Sequence, residues 1–251
     1  LLTRSGRRSV DNCPNLLKPE GDLTGVFGRV GKVTGKRFGY VAAILWGLAA
    51  ILTVYIATVT GIPSLDLAIA EPAHNLAVGS PWLVWVARLF AAMGSGFVLA
   101  PLTVGVVIAL WVRGHRWWSV WLAAAGIGGV LISQSVKRLI DRQRPAWDNP
   151  LHELTSPSFP SGHAMAGIYG YVAFGVVAWF LGSRAIGVGL ILFGVLMGPS
   201  RVVFGVHWPS DVLGGWLFAS AWLCTVTAVM WWRWGPPQKI SPEDAEADLT
   251  R

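Results

Sequence analysis

The residues able to do chemistry stand at the ends of apolar blocks: Lys137, Arg144 and Arg201 as cations, His163 and His207 as proton carriers, Asp211 as a carboxylate. Lys137 and Arg144 are seven positions apart, two helical turns. That spacing predicts that both side chains point one way, with Pro145 ending the helix behind them. Phosphoryl oxygens carry negative charge in the ground and transition states, and this pair together with Arg201 is suited to clamp them. Ser161 reads as the N-cap of the next helix, and Gly162 lets the backbone come close to a ligand. The free N–H groups of that helix start favour an anion. His207 and Asp211 are four apart around a helix start, with Pro209 as its first residue. A carboxylate there can hold the proton of one imidazole nitrogen and leave the other lone pair free to attack phosphorus. Asp141 is a candidate partner for Lys137 or Arg144 through an i,i+4 or i,i+3 pair, and Arg142 leans toward a further phosphate contact. Each feature alone has an ordinary reading: a snorkelling cation at a span end, a plain helix cap, a structural His–Asp pair.

The elements that must position these residues are membrane helices. Of the 251 residues, 53% are hydrophobic and 13% charged, against about 25% charged in a soluble domain, and the mean hydropathy is +0.53. The apolar residues come in blocks of about twenty, the length that crosses a bilayer. This excludes a disordered chain, a disulfide-rich mini-protein and a cytosolic globular enzyme. The expected fold is all-α, a polytopic six-transmembrane-helix bundle, with no strand-like alternation and no internal repeat. Spans are expected near 38–60, 97–112, 117–140, 161–181 and 185–203, with a sixth following 207–211 and ending near Trp232. Residues 1–37 read as a flexible basic cytoplasmic tail, 38–232 as the membrane domain and 233–251 as a polar cytoplasmic tail. Residues 61–81 look too polar and broken to cross, and 82–93 suit a helix lying in the interface. His74, His152 and Glu153 read as surface loop residues.

Orientation follows from the Lys and Arg distribution. With both termini inside, fourteen of the 20 Lys and Arg fall on the inner side and six on the outer, as the positive-inside rule requires. The net charge of +7 is therefore read as membrane flanking rather than nucleic-acid binding. The outer six are Arg88, Lys137, Arg138, Arg142, Arg144 and Arg201, and all but Arg88 sit at the outer ends of spans three and five. His163 and His207 open spans four and six from the same side. The hydropathy pattern alone brings these distant residues to one membrane level, so the active site is expected at the outer face. Cys13, in the polar tail, and Cys224, inside an apolar run, are not expected to pair.

Three motifs occur in order: K-x6-R-P at 137–145, P-S-G-H at 160–163 and S-R-x5-H-x3-D at 200–211. Together they resemble the type 2 phosphatidic-acid phosphatase superfamily, which shares its three-part site with vanadium haloperoxidases; the resemblance covers about residues 38–232. It implies a membrane lipid phosphatase in which His207 is the nucleophile forming a phosphohistidine and Asp211 orients it. It also implies that His163 donates a proton to the leaving oxygen, and that Lys137, Arg144, Arg201, Ser161 and Gly162 bind the phosphate. No metal and no cofactor is implied, and the outer face shows no carboxylate cluster or His pair with ligand spacing. The implied partners are a lipid phosphate or diphosphate and the surrounding membrane lipids of the plasma membrane. A polyprenyl diphosphate is favoured because the site faces outward. Phosphatidylglycerol phosphate or phosphatidate hydrolysis and a lipid phosphotransferase are the alternatives. An anion transporter would place its charges near the midplane at broken helices, and a haloperoxidase would be soluble.

Overall fold

The computed structural model describes residues 23–152 and 154–237, which are all-helical apart from their connections. The helices are α1 (Leu23–Thr58), α2 (Ser64–Val78), α3 (Pro81–Met93), α4 (Gly96–Val112) and α5 (Arg116–Ile140). After a long connection come α6 (Gly162–Ala166), a π-helical turn (Gly167–Val172) and α7 (Ala173–Phe180), which together form one continuous span. Helices α8 (Arg184–Val203) and α9 (Pro209–Trp234) complete the bundle. Five of these spans are long and apolar enough to cross a bilayer, while α4, with 17 residues, lies at the short limit of about 17. The six expected spans are α1, α4, α5, α6–α7, α8 and α9, and the expected fold class is borne out. Large apolar side chains face outward from them, Phe97 being 96% exposed, the reverse of a soluble domain and suited to lipid.

Two local expectations are corrected. Helix α1 starts at Leu23 rather than near 38; Leu23, Val26, Phe27, Val30 and Val33 recur at helical spacing, which carries the helix through the basic stretch. The segment 61–81, expected to be too polar and broken to cross, forms α2, which together with α3 is long and apolar enough for a bent span or a re-entrant pair; Asp66 lies in its first turn, where a carboxylate suits the helix dipole. Helices α2 and α3 meet at 112°. The expected tails at 1–22 and 238–251, with Cys13, lie outside the described residues, as does Glu153.

Packing sets the level of each helix end. Indole hydrogen bonds join antiparallel neighbours: Trp46 to Thr225 Oγ1 at 3.0 Å (α1–α9), and Trp121 to Thr227 Oγ1 at 2.9 Å and Trp222 to the Ala124 carbonyl at 3.1 Å (α5–α9). The fourth span meets α8 through small residues, Gly167 against Gly194 and Gly175 against Gly187. A Cβ added at Gly167 would lie 2.1 Å from the Gly194 carbonyl oxygen, so the two backbones touch only because neither carries a side chain. Short turns at Gly114 (φ +79) and Gly182 (φ +94), conformations open to glycine, reverse the chain between neighbours. As a result the C-terminal ends of α5 and α8 and the N-terminal ends of α6 and α9 arrive at one level, where the long 141–161 connection crosses them.

Candidate active site

His207 lies in the short connection between α8 and α9 and is 2% exposed. Its Nδ1 is 3.4 Å from Asp211 Oδ2, and its Nε2 is 3.1 Å from Arg144 Nη1. A guanidinium can only donate, so Nε2 is the acceptor and Nδ1 carries the proton toward the carboxylate. Burial, the largest influence, pushes the imidazole down to about 3; Asp211 opposes the shift, and Arg144 and Lys137 reinforce it. The ring is therefore neutral near pH 7, with one lone pair on the Arg144 side. Asp211, in the first turn of α9 and fully buried, is fixed on both oxygens. Its Oδ2 accepts from the Trp208 N–H at 2.8 Å and from the Ser158 hydroxyl, and its Oδ1 accepts from Arg142 Nη1 at 2.6 Å.

Arg144 and Lys137 act on this imidazole and Arg201 stands with Arg144 and His163; among the described residues none of the three cations forms an ion pair with a carboxylate. Arg144 donates to the carbonyls of Ser156 (2.7 Å) and Val206 (2.6 Å). Lys137, at the end of α5, donates to the Pro157 carbonyl. Arg201, at the end of α8, is 1% exposed, and its Nε and Nη1 have no hydrogen-bond partner among the described residues. Its guanidinium lies 5.3 Å from the centre of the Phe204 ring. A buried guanidinium with unmet donors is costly unless an anion completes it.

Ser161 caps α6: its Oγ accepts from the Ala164 N–H, and its own N–H donates to the Asp211 carbonyl at 2.9 Å. A Cβ at Gly162 would lie 3.9 Å from Lys137 Cε, so the cap stands beside that cation. His163 follows, its Nε2–H donating to the Ala91 carbonyl at the end of α3 (3.1 Å), and Arg201, Arg144 and Lys137 all act on it electrostatically. The fold thus gathers Lys137, Arg144, Ser161, Gly162, His163, Arg201, His207 and Asp211 into one cluster. Among the described residues no group of three His, Cys, Asp or Glu is arranged to hold a metal ion.

Several sequence expectations change. Helix α5 ends at Ile140, with Asp141 in the left-handed conformation (φ 44) and its N–H bonded to the Lys137 carbonyl. Lys137 and Arg144 therefore do not share a helix face: Arg144 precedes Pro145, which disfavours helix at that position, and the two cations converge through the loop instead. Asp141 forms no ion pair among the described residues. Arg142 is not turned toward the other cations but gives its guanidinium to two carboxylates, Asp211 and Asp66. His74 is not a surface residue; it is buried, stacked on Trp147 with centroids 4.7 Å apart, and its Nε2–H donates to the Asn149 carbonyl at 3.1 Å. His152 is exposed, as expected, and stacks on Phe204. Sequence reasoning missed Ser158 and Asp66; an acid at the start of a short polar helix gives no one-dimensional sign of an arginine 76 positions away.

Residues 116–235 match the PAP2 superfamily. Phosphatidylglycerophosphatase B of Bacillus subtilis is 33% identical over 160 residues, covering 61% of this chain and 77% of that one. Undecaprenyl-diphosphatase of Sulfolobus acidocaldarius is 31% identical over 156 residues, covering 59% and 69%. The crystal structure of a transmembrane PAP2-type phosphatidylglycerolphosphate phosphatase from Bacillus subtilis superposes with a TM-score of 0.64 at 28% identity, over 74% of this chain and 94% of that chain.

The unmet donors of Arg201 make a direct prediction. Inorganic phosphate should inhibit turnover of a soluble phosphate ester competitively, and Arg201→Ala should weaken that inhibition roughly 100-fold, about 3 kcal/mol for lost charged hydrogen bonds. An unchanged inhibition constant in a folded variant would mean that Arg201 does not face the anion.

Proposed function

The chain belongs to the PAP2 superfamily and is a membrane lipid phosphatase; on that footing we propose that it hydrolyses a polyprenyl diphosphate at the outer face of the membrane, through a phosphohistidine on His207. The observation that carries the reading is a cluster of three cations, without ion-paired carboxylates among the described residues, that joins the unprotonated nitrogen of a buried neutral imidazole through Arg144 and reaches His163 through Arg201. The Nε2 lone pair attacks the terminal phosphorus, the bond from phosphorus to the bridging oxygen breaks, and the electron pair leaves on the lipid monophosphate. Lys137, Arg144, Arg201 and the N–H groups at the start of α6, with Ser161 and Gly162, hold the three non-bridging oxygens as charge redistributes. An arriving phosphoryl oxygen takes Arg144 from Nε2, which frees the nucleophile at the moment substrate binds.

Asp211 accepts the hydrogen bond from Nδ1–H throughout and stabilises the ring as it becomes positive. His163 is the proton donor to the leaving oxygen, with the Ala91 contact holding its Nε2 edge and the other nitrogen carrying the proton once the substrate's charge offsets the three cations. Water then attacks the phosphohistidine and returns a proton to His163; inorganic phosphate leaves, and His207 regains its lone pair. Side-chain cations supply the charge stabilisation, so EDTA should leave turnover unchanged.

The charge of three cations matches a diphosphate, which supports the polyprenyl reading. A phosphatidylglycerol phosphate is the second reading, favoured by the 33% identity to phosphatidylglycerophosphatase B. Purified protein assayed on both lipids should show at least tenfold higher kcat/KM for the polyprenyl diphosphate, and His207→Ala should abolish both activities. The reverse ranking selects the second reading, and wild-type turnover by His207→Ala removes this nucleophile.

The outward-facing site rests on the distribution of Lys and Arg, which keeps both termini in the cytoplasm. Asp148 is exposed on the 141–161 connection. A membrane-impermeant maleimide should label Asp148→Cys in intact cells, with the two native cysteines replaced; labelling only after lysis reverses the orientation.

A further inference from the structure

Asp66 lies on α2, outside the stretch that matches the family and outside all three motifs, yet it reaches the catalytic carboxylate through one arginine. Its side chain is almost fully buried, and among the described residues its hydrogen bonds go to Arg142 and Ser210, on the site's side. Oδ2 accepts from Arg142 Nη2 at 2.7 Å and from the Ser210 hydroxyl at 2.6 Å, and Oδ1 accepts from the Ser210 backbone N–H at 2.8 Å. The other arm of the same guanidinium, Arg142 Nη1, donates to Asp211 Oδ1 at 2.6 Å and to Ser210 Oγ at 2.7 Å. Arg142 is thus a planar bridge between two carboxylates, one on α2 and one facing the nucleophile.

We propose that Asp66 is a positioning residue for the His207–Asp211 pair, acting through Arg142; this rests on the phosphohistidine reading above. The chemistry is one of lone pairs and charge. A guanidinium prefers to grip a carboxylate with two parallel bonds, and an unrestrained Arg142 would take both oxygens of Asp211. That would draw Oδ2 away from His207 Nδ1, from the Trp208 N–H and from Ser158. With Nη2 committed to Asp66, Arg142 meets Asp211 through Nη1 and Oδ1 alone, and Oδ2 remains for the imidazole. Asp66 also neutralises Arg142, so that Asp211 keeps its negative charge for the His207 ring as that ring becomes positive. The same bonds fix Ser210, the second residue of α9, and so tie α2 to the first turn that carries Asp211. Lysine could not replace Arg142, because a compact ammonium has no fork to divide between two acids.

The effect belongs to the chemical step and leaves phosphate binding alone, since Lys137, Arg144 and Arg201 form no hydrogen bond or ion pair with Asp66. In detergent-solubilised full-length protein, Asp66→Asn should lower kcat at least tenfold while KM for the lipid phosphate changes less than twofold. Arg142→Lys should do the same. The double variant Asp66→Asn/Arg142→Lys should lose clearly less than the product of the two single losses, because the fork is the main route from Asp66 to the Asp211 carboxylate and only the Ser210 bonds remain once it is gone. Asp66→Glu, which keeps the charge, should recover part of kcat where Asp66→Asn does not. A wild-type kcat for Asp66→Asn or for Arg142→Lys overturns the proposal, as does a loss that multiplies in the double variant or one confined to KM. If Asp66→Asn does not yield folded protein, the Arg142→Lys measurement of kcat against KM decides alone. Failure of the underlying reading is separate: His207→Ala would then turn over normally, whatever the Asp66 variants do.

Discussion

A neutral imidazole held beside the cations Arg144 and Lys137 is the condition on which the rest of the site depends. His207 could not sit beside Arg144 with a second proton, because two donors would face each other at 3.1 Å. Burial excludes that proton, and Asp211 assigns the remaining one to Nδ1. The carboxylate is itself held on every side, by the Trp208 N–H, Ser158 and Arg142. In the proposed role of nucleophile, an imidazole held this way needs no base to deprotonate it near neutral pH, so the protein's effort goes into aiming the ring and preparing a place for the charge of the phosphoryl group.

The membrane explains why the site lies where it does. Cations inside a hydrocarbon layer are expensive, and they are tolerated at helix ends that reach the interface. Antiparallel spans put the ends of α5 and α8 beside the starts of α6 and α9, so residues from four helices meet without any charge crossing the apolar layer. The small-residue contacts between the fourth span and α8 hold these ends in register, since backbones in contact cannot slide past each other as easily as flexible side chains. Helices α2 and α3 then close the site from the flank, α3 through the Ala91 carbonyl on His163 and α2 through Asp66.

Much of this was legible in the sequence because the membrane imposes a one-dimensional code. Blocks of about twenty apolar residues gave the spans, and the residues at their ends gave the eight members of the cluster. The code fails where helices are polar or connections do the work. The seven-residue spacing puts Lys137 and Arg144 on one helix face, but the helix stops at Ile140 and the loop brings Arg144 back by its own path. Arg142 looked like one more phosphate contact, since sequence shows a cation but not the two buried acids that claim it. Asp66 and Ser158 left no trace, their partners lying 76 and 53 positions away. The fold class therefore follows from composition and periodicity, whereas the hydrogen-bond order around Asp211 requires the folded chain.

The central claim is covalent, and a rapid-quench experiment reaches it directly. Enzyme mixed with a stoichiometric amount of ³²P-labelled lipid phosphate and quenched in alkali should carry acid-labile, alkali-stable label within a single turnover. Peptide mapping should locate that label at His207. Release of inorganic phosphate at the full rate with no protein-bound label at any time, or label found at another residue, would contradict the account.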